Sequence, residues 1–256
     1  GTISGVSNAL KEKNKDIKIF LSDPKGSALY NYIKKLNLKE HSEWGDYYNK
    51  TNYSDDAFVQ KSTIINSWLD DIKADSVIDV GGNDGTFVRK IKRNLNHALV
   101  CDIDYNAIDF NYKTIKENSE SFIIPFVLDV LNPSAAIGFQ NKERDSFINR
   151  IKTFAPDATL ALAVIHHMSL SGNVSFEMSA EFFASFSKHL VIEFPKRDDS
   201  WVQRLLNSKV DFKDYFDFYN IENFEKAYSN YFDIVEKKPI LKSERVMYLL
   251  STKNVR

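Results

Sequence analysis

The chain of 256 residues has little cysteine and no excess of charge of either sign. Its single cysteine, Cys101, excludes an internal disulfide framework and a cysteine-rich zinc site. Lys and Arg together number 34 and Asp and Glu 35, so no overall positive field favours nucleic acid as a partner. No apolar run approaches the roughly 20 residues that a membrane span needs. These absences predict a globular protein without a metal site, in a reducing compartment that we expect to be the cytoplasm.

Glycine is scarce as well, but three of the nine glycines lie in one segment, Val-Ile-Asp-Val-Gly-Gly-Asn-Asp-Gly-Thr-Phe, residues 77–87. The apolar run at residues 76–80 has the composition of a buried parallel strand. Apolar residues at helical spacing follow at positions 88–95. The glycines therefore lie at a strand-to-helix turn, where the backbone can approach a ligand and the helix amides point toward it. The segment predicts a nucleotide-cofactor loop.

The glycine spacing distinguishes between two cofactors. A dinucleotide fingerprint needs a third glycine in register, which residues 86–88 do not provide, so NAD becomes the second choice. Residues 79–85 resemble motif I of class I S-adenosylmethionine (SAM) dependent methyltransferases, D-x-G-x-G-x-G, with Asn83 where the middle glycine is common. The resemblance implies that Asp79, Gly81, Asn83 and Gly85 surround the methionine end of SAM. It also implies that Gly82 and Phe87 belong to the cofactor site.

An acid also follows the second predicted strand, residues 98–101. Asp102 lies about 20 residues beyond the glycine turn, where a carboxylate can accept both hydroxyls of a cofactor ribose. We therefore predict Asp102 as the ribose ligand, with Ile103 beside it in the cofactor site. Asp104 comes two residues later, and its alternative role is to cap the helix that follows.

The third predicted strand, residues 122–128, ends at Asp129. The methyltransferase resemblance implies that Asp129 accepts a hydrogen bond from the adenine amino group. It also implies that the backbone amide of Val130 contacts a ring nitrogen of the adenine. The alternative is that Asp129 only initiates a turn before the Asn-Pro pair at 132–133.

The fourth predicted strand, residues 158–165, leads directly into His166 and His167. Side chains at this end of a central strand face the crevice where open α/β sheets bind ligands, and we expect Ala163 at the cofactor there. An imidazole has an ordinary pKa near 6.5 and can take a proton from a substrate hydroxyl. The alternative is that one ring only packs or orients, and the sequence does not say which histidine would be the base.

Glu193 interrupts the apolar fifth strand, residues 189–194. A buried carboxylate is costly unless it is paired or functional, so Glu193 is a further candidate base or a partner for one of the histidines. An ion pair with Lys196 or Arg197 is the alternative. The fourth strand also lacks the Asn/Asp-Pro-Pro-Tyr string of methyltransferases that act on nucleobase amines or amide nitrogens. Its absence favours an oxygen acceptor.

The alternation of elements predicts a doubly wound, Rossmann-like α/β sheet. Two final strands, at 232–236 and 246–250, predict the antiparallel hairpin that closes a seven-stranded class I methyltransferase sheet. Residues 1–70 are predicted to form a mostly helical extension, and residues 71–256 the SAM-binding domain. Tyr53 is predicted to contribute to a lid over the cofactor, with simple packing of the extension as the alternative. Lys61, further along, is a candidate for the methionine carboxylate.

Several strings taken together resemble a bacterial group of SAM methyltransferases related to the nodulation host-specificity methyltransferase. They are WGDYY at 44–48, TNYSDDAF at 51–58, NPS at 132–134, Gly138 with NKER at 141–144, IHHM at 165–168 and VIEFPK at 191–196. The resemblance implies polysaccharide modification. We therefore expect O-methylation of a hydroxyl on a glycan, polysaccharide or small molecule, with S-adenosylhomocysteine as product. Because members of the group are often longer, we also expect this chain to be part of a longer multidomain protein.

Two other classes of protein remain open at this stage. An NAD-dependent oxidoreductase would use a similar fold, but the chain lacks the third glycine and a Tyr-x-x-x-Lys pair on the expected later helix. A non-catalytic SAM-binding or scaffold domain would keep the glycine turn and have no productive base.

Overall fold

The computed structural model describes residues 55–209 and 213–253, which form an α/β fold around a central sheet. The seven strands are β1 (Ser76–Val80), β2 (His97–Asp102), β3 (Ile123–Val127), β4 (Ala158–Ala161), β5 (His189–Pro195), β6 (Phe232–Pro239) and β7 (Arg245–Thr252). Their order in the sheet is β3-β2-β1-β4-β5-β7-β6. The first five are parallel, and β7 runs antiparallel between β5 and β6. The predicted sheet with its C-terminal antiparallel hairpin is confirmed.

Helices connect the strands and cover both faces of the sheet. They are α1 (Asp55–Asp71), α2 (Thr86–Arg89), α3 (Tyr105–Asn118), α4 (Phe147–Phe154), α5 (Phe176–Ala184), α6 (Ser200–Asn207) and α7 (Ile221–Tyr228). Short side chains accept hydrogen bonds from the first free amides of α3 to α7, which defines where these helices begin. The capping residues are Asp104, Ser146, Ser175, Asp199 and Asn220. The capping alternative for Asp104 is thereby confirmed.

The core lies in two layers, one on each face of the sheet. In β1, Ile78 and Val80 belong to the layer that contains α5 and α7, whereas Val77 belongs to the layer that contains α1 and α3. This division follows from the period of two along a strand. Trp68 of α1 is fully buried in the second layer. The helix just before the sheet is therefore part of the core, and the predicted boundary at residue 70 stays a prediction.

The fourth strand is shorter than predicted. β4 ends at Ala161, and Ala163 adopts a left-handed backbone conformation with a φ of 56°. The prediction extended to residue 165 because the run is apolar up to that point. Ile165 is indeed buried, at 1% exposed, as a strand residue would be. It is nevertheless buried in a turn. A short π-helical turn, His167–Ser171, then carries the chain away from the sheet.

Two structural features bear on the class of protein. In the described part of the chain, no helix is long and apolar enough to cross a membrane. Residues 55–209 and 213–253 also contain no cluster of three or more His, Cys, Asp or Glu side chains placed to hold a metal ion.

Candidate cofactor and catalytic site

A cavity of about 370 Å³ lies at the carboxyl ends of β1, β2, β3 and β4. Most of the sequence-predicted site residues line it, although they come from four separate segments of the chain. They are Asp79, Gly81, Gly82, Asn83, Phe87, Asp102, Ile103, Asp129, Val130, Ala163 and His167. Because the carboxyl ends of parallel strands meet at one edge of a sheet, a ligand there can contact all four connections.

The glycine turn forms the floor of this cavity. The amides of Gly81 and Gly82 both donate to the carbonyl of Cys101, at 2.8 and 3.0 Å, which ties the turn to the end of β2. Gly81 has a φ of 72°, and a Cβ atom there would lie 2.5 Å from Cγ2 of Val164. Gly85, with a φ of 79°, precedes α2 and is not among the residues that line the cavity. The turn therefore keeps the connection after β4 close to the end of β1.

Asp79, the last but one residue of β1, has a buried carboxylate that accepts no hydrogen bond from the described residues. Its side chain is fully buried, and neither oxygen has a hydrogen-bond partner among the described residues. Burial raises the pKa of Asp79 to about 7, although the nearby Lys61 ammonium opposes the rise. A buried carboxylate that lines a cavity and accepts no hydrogen bond from the described residues is suited to a ligand that carries a cation.

Asp102 follows with its carboxylate already oriented by the backbone. Oδ2 accepts from the amide of Asn83 at 2.9 Å, and Oδ1 accepts from the amide of Asp104 at 2.8 Å. Burial raises the pKa of Asp102, and these backbone donors act in the opposite direction. A carboxylate has about four acceptor positions, so two ligand hydroxyls can still be bound.

Asp129 and Ala163 lie on the connections after β3 and β4. Oδ1 of Asp129 accepts from the amide of Leu131 at 2.9 Å, as in the turn that was the alternative for this residue, and Asp129 also lines the cavity. Val130 lines the same wall. The left-handed conformation of Ala163 is a strained one for alanine, and such strain is common where a backbone must approach a ligand.

The two adjacent histidines point to different environments. His167 lines the cavity, whereas His166 is buried beneath it, with its ring centroid 4.1 Å from that of His167. Burial lowers the pKa of His167 to about 4, and the positive charge of Arg245 lowers it further. Burial also holds the pKa of His166 well below its ordinary value. Both rings are therefore neutral near pH 7, and His167 is the one that can reach a ligand.

Glu193 is fully buried in β5 and is not among the lining residues. Its carboxylate pairs with Lys61 at 2.6 Å and with Arg245 at 3.4 Å. Neither partner is the Lys196 or Arg197 that the sequence offered as the alternative. These pairs connect β5 to α1 and to β7, and no local spacing in the sequence could have indicated them.

Two further points concern the predicted set. Tyr53, with the rest of the predicted lid, lies outside the described residues. Lys61, the candidate for the methionine carboxylate, also lines the cavity. Apolar and hydroxyl side chains to which the sequence assigned no role complete the lining: Val80, Leu128, Leu131, Leu162, Val164, Met168 and Ser171. In the sequence they are indistinguishable from ordinary core and turn residues.

The strand order, the antiparallel hairpin and the cavity at the strand ends define the class I SAM-dependent methyltransferase fold. Among solved structures, the N-methyltransferase NodS from Bradyrhizobium japonicum WM9, in complex with S-adenosyl-L-homocysteine, superposes with a TM-score of 0.55. The match covers 88% of this chain and 99% of that one at 13% identity. The PH0226 protein from Pyrococcus horikoshii OT3 gives a TM-score of 0.54 at 13% identity, covering 82% and 98% of the two chains.

A particular relative is recognisable in sequence. Over 225 residues the chain is 30% identical to the nodulation protein NoeA of Rhizobium meliloti (strain 1021), which is 87% of this chain and 46% of that protein. The predicted resemblance to the nodulation-related group is thereby confirmed. The chain spans about half the length of this relative. No protein-family model matches the chain.

Proposed function

We propose that this chain is a SAM-dependent methyltransferase that methylates a hydroxyl of a glycan, a polysaccharide or a small molecule. The observation that carries the proposal is the buried Asp79 carboxylate, which has no hydrogen-bond partner among the described residues and lines a cavity at the ends of four strands. The class I methyltransferase fold around it supports the same conclusion.

The residues present fit the cofactor along its length. Asp79 would accept from the ammonium of the methionine part, because its two oxygens need a charged donor. Asp102 would hold the two ribose hydroxyls, and its fixed orientation would limit the entropy lost on binding. Asp129 would accept from the adenine amino group, with the amide of Val130 directed to the ring. An NAD-dependent oxidoreductase is not favoured, because the sheet ends in an antiparallel hairpin.

His167 is the proposed base. SAM, when bound, supplies a methyl group that the sulfonium has already activated for transfer to the acceptor oxygen. His167 would hold the proton that this oxygen gives up, and its low pKa keeps the ring in the neutral, accepting form at physiological pH. A weak base is sufficient, since the proton of an alcohol becomes strongly acidic as the oxygen acquires its third bond, the one to the transferred methyl group. His166 would act only by packing against His167.

Methyl transfer to a panel of acceptors tests this proposal. The panel contains glycans, small alcohols and, because NodS is an N-methyltransferase by name, amino sugars. S-adenosylhomocysteine formation is measured, and the methylated atom is identified by mass spectrometry and NMR. We expect an O-methyl product. A product methylated only on nitrogen would overturn the oxygen assignment.

The same assay tests the role of His167. We expect His167→Ala to lower kcat on the order of 10²- to 10⁴-fold, the usual contribution of a general base, while SAM affinity changes by less than about threefold. His189→Ala is the control, because it removes another imidazole whose pKa burial lowers, at the start of β5, where it does not line this cavity. Turnover by His167→Ala at the control's rate would exclude His167 as the base.

A further inference from the structure

The connection between β3 and α4, residues 128–146, is long and contains no α-helix or strand. From Leu131 onward, nearly all of its side chains are exposed. The first part of this β3–α4 loop, residues 128–131, lines the cavity. Loops of this length inside a compact domain are uncommon and usually have a function. The β3–α4 loop therefore calls for a role beyond joining two elements.

The loop lies at the same edge of the sheet as the cavity. β3 ends at this edge, and α4 leads from it back to the start of the parallel strand β4 at the opposite edge. The carbonyl of Ser134 accepts from the amide of Phe147, the first residue of α4, at 2.9 Å. Residues 135–146 thus leave the fold and return to it at one point, and they form a projection beside the cavity edge.

The tip of the projection has a defined shape. Ile137 and Arg144 exchange two backbone hydrogen bonds, at 3.0 and 3.2 Å, which close a hairpin. The Glu143 side chain lies against the tip, where its Oε1 accepts from the amide of Phe139 at 3.0 Å. A Cβ atom on Gly138 would lie only 2.3 Å from Cβ of Glu143. The hairpin is therefore fitted around one side chain, and it holds Phe139 outward.

The side chains that the tip presents indicate the ligand. Phe139 is 79% exposed, the highest value among the large apolar side chains of the described residues. Ile137 and Leu131, on the same loop, are 47% and 45% exposed. The side-chain amides of Gln140 and Asn141 follow directly and can both donate and accept hydrogen bonds. An exposed ring with amides beside it suits a sugar, which has an apolar C–H face and hydroxyl groups around its rim.

The charge and position of the tip narrow the ligand further. Residues 142–145 are Lys, Glu, Arg and Asp, so their charges balance and do not favour an anionic ligand such as a nucleic acid. Phe139 also lies beyond Leu131, which is the last residue of the loop that lines the cavity. A small molecule held inside the cavity would not extend to the tip of this projection. A chain of sugar units would.

We propose that the acceptor is an oligosaccharide or a longer glycan, whose methylated end enters the cavity while Phe139 stacks on a sugar ring further along the chain. This inference rests on the proposed function, because it narrows the acceptor of the same site. Phe139 is a residue for acceptor specificity and takes no part in the transfer of the methyl group.

The first test measures saccharide binding in the absence of a methyl donor. The unaltered chain is applied to an array of defined neutral oligosaccharides, and the affinity for the best ligand is measured by calorimetry. We expect Phe139→Ala to weaken this affinity about three- to tenfold, the size of an aromatic stacking contribution, and Phe139→Trp to retain it. Phe110→Ala is the matched control, because Phe110 is 59% exposed on α3, outside the loop. Absence of binding to every oligosaccharide, or equal affinities of Phe139→Ala and the unaltered chain, would overturn the proposal.

The second test uses turnover. The glycan that accepts the methyl group is compared with the monosaccharide from its methylated end. We expect the unaltered chain to have a kcat/KM about threefold or more higher for the glycan, and Phe139→Ala to lose this preference through KM. An affinity of the variant for S-adenosylhomocysteine within about threefold of that of the unaltered chain shows that the cavity is folded. An acceptor that is not a saccharide, or an unchanged preference in Phe139→Ala, would contradict the assignment.

Failure of the proposed function gives a different result. Binding on the array needs no methyl donor. A chain that binds saccharide through Phe139 but forms no S-adenosylhomocysteine with any acceptor would contradict the methyltransferase proposal and not the saccharide site.

Discussion

Burial of the Asp79 carboxylate destabilises the folded protein wherever this group is ionised. With its pKa raised to about 7, against an ordinary value near 3.8, the folded state holds a proton that the unfolded state releases. Stability from this group is therefore present below about pH 4 and is lost as the pH rises to about 7. Under the proposed function, the ammonium of the bound cofactor offsets this cost.

Asp79→Asn removes the buried charge. We expect the variant to be more stable than the unaltered chain at pH 8, by on the order of 2–4 kcal/mol, and the difference to disappear near pH 4. We also expect its affinity for SAM to fall about tenfold or more. Urea unfolding at the two pH values and calorimetry measure these effects. A variant that is less stable at pH 8, or that binds SAM normally, would contradict the role given to Asp79.

The low pKa of His167 leads to a prediction about how kcat depends on pH. Because its pKa lies near 4, the ring stays in its proton-accepting form throughout the neutral range. At saturating SAM, kcat should not vary with pH between about 6 and 8 on account of this residue, and an acid limb should appear only toward pH 4–5. A limb centred near 6.5 that persists in His166→Gln and vanishes in His167→Gln would show that the ring is not desolvated.

At the residue scale, the site residues that could be predicted are those marked by their immediate neighbours in the sequence. The position of Asp102 and Asp129 at the cavity could be predicted, because each acid lies at the end of an apolar strand and such positions converge on one edge of the sheet. The partners of Glu193 could not be predicted, since Lys61 and Arg245 are 132 and 52 residues away in sequence. Which histidine faces the cavity also depends on the turn after Ala163, which an apolar run does not reveal.

At the scale of elements, the turn between β1 and α2 and the turn after β4 are fitted to each other. A side chain at position 81 would meet Val164 and would also have to adopt a φ of 72°. We expect Gly81→Ala to cost on the order of 2–3 kcal/mol, from left-handed strain and the clash together. Val164→Ala in the same chain should recover about 1 kcal/mol, because it removes the clash and leaves the strain.

Denaturant unfolding of the two single variants and the double variant measures this coupling as a thermodynamic cycle. Strictly additive effects would mean that the two turns do not touch.

The prediction for the fourth strand extended four residues too far. The residues after Ala161 are apolar, so in the sequence they resemble more of the strand. In the structure they form a turn, in which Ala163 is left-handed and Ile165 is buried.

At the scale of the whole molecule, the topology was the most predictable property. Five parallel strands each appear as a short apolar run, and the closing hairpin appears as two runs near the end of the chain. Alternation with helices then leaves few ways to wind the sheet. The cavity shape and the ion-pair network were not predictable, because they depend on contacts between segments far apart in sequence.

The relationship to NoeA bears on the acceptor. This chain spans about half the length of NoeA, so the acceptor of this chain belongs to the proposed function and is not taken from that relative. The cofactor is the part of the account on which everything else depends, since the roles of Asp79, Asp102 and His167 all assume SAM in the cavity.

The most direct measurement is therefore calorimetric titration of the purified chain with SAM, S-adenosylhomocysteine and NAD, repeated on Asp102→Ala. We predict micromolar binding of the first two, a loss of about tenfold or more in the variant through the ribose hydroxyls, and no binding of NAD. Binding of NAD alone, or of none of the three, would contradict the methyltransferase assignment.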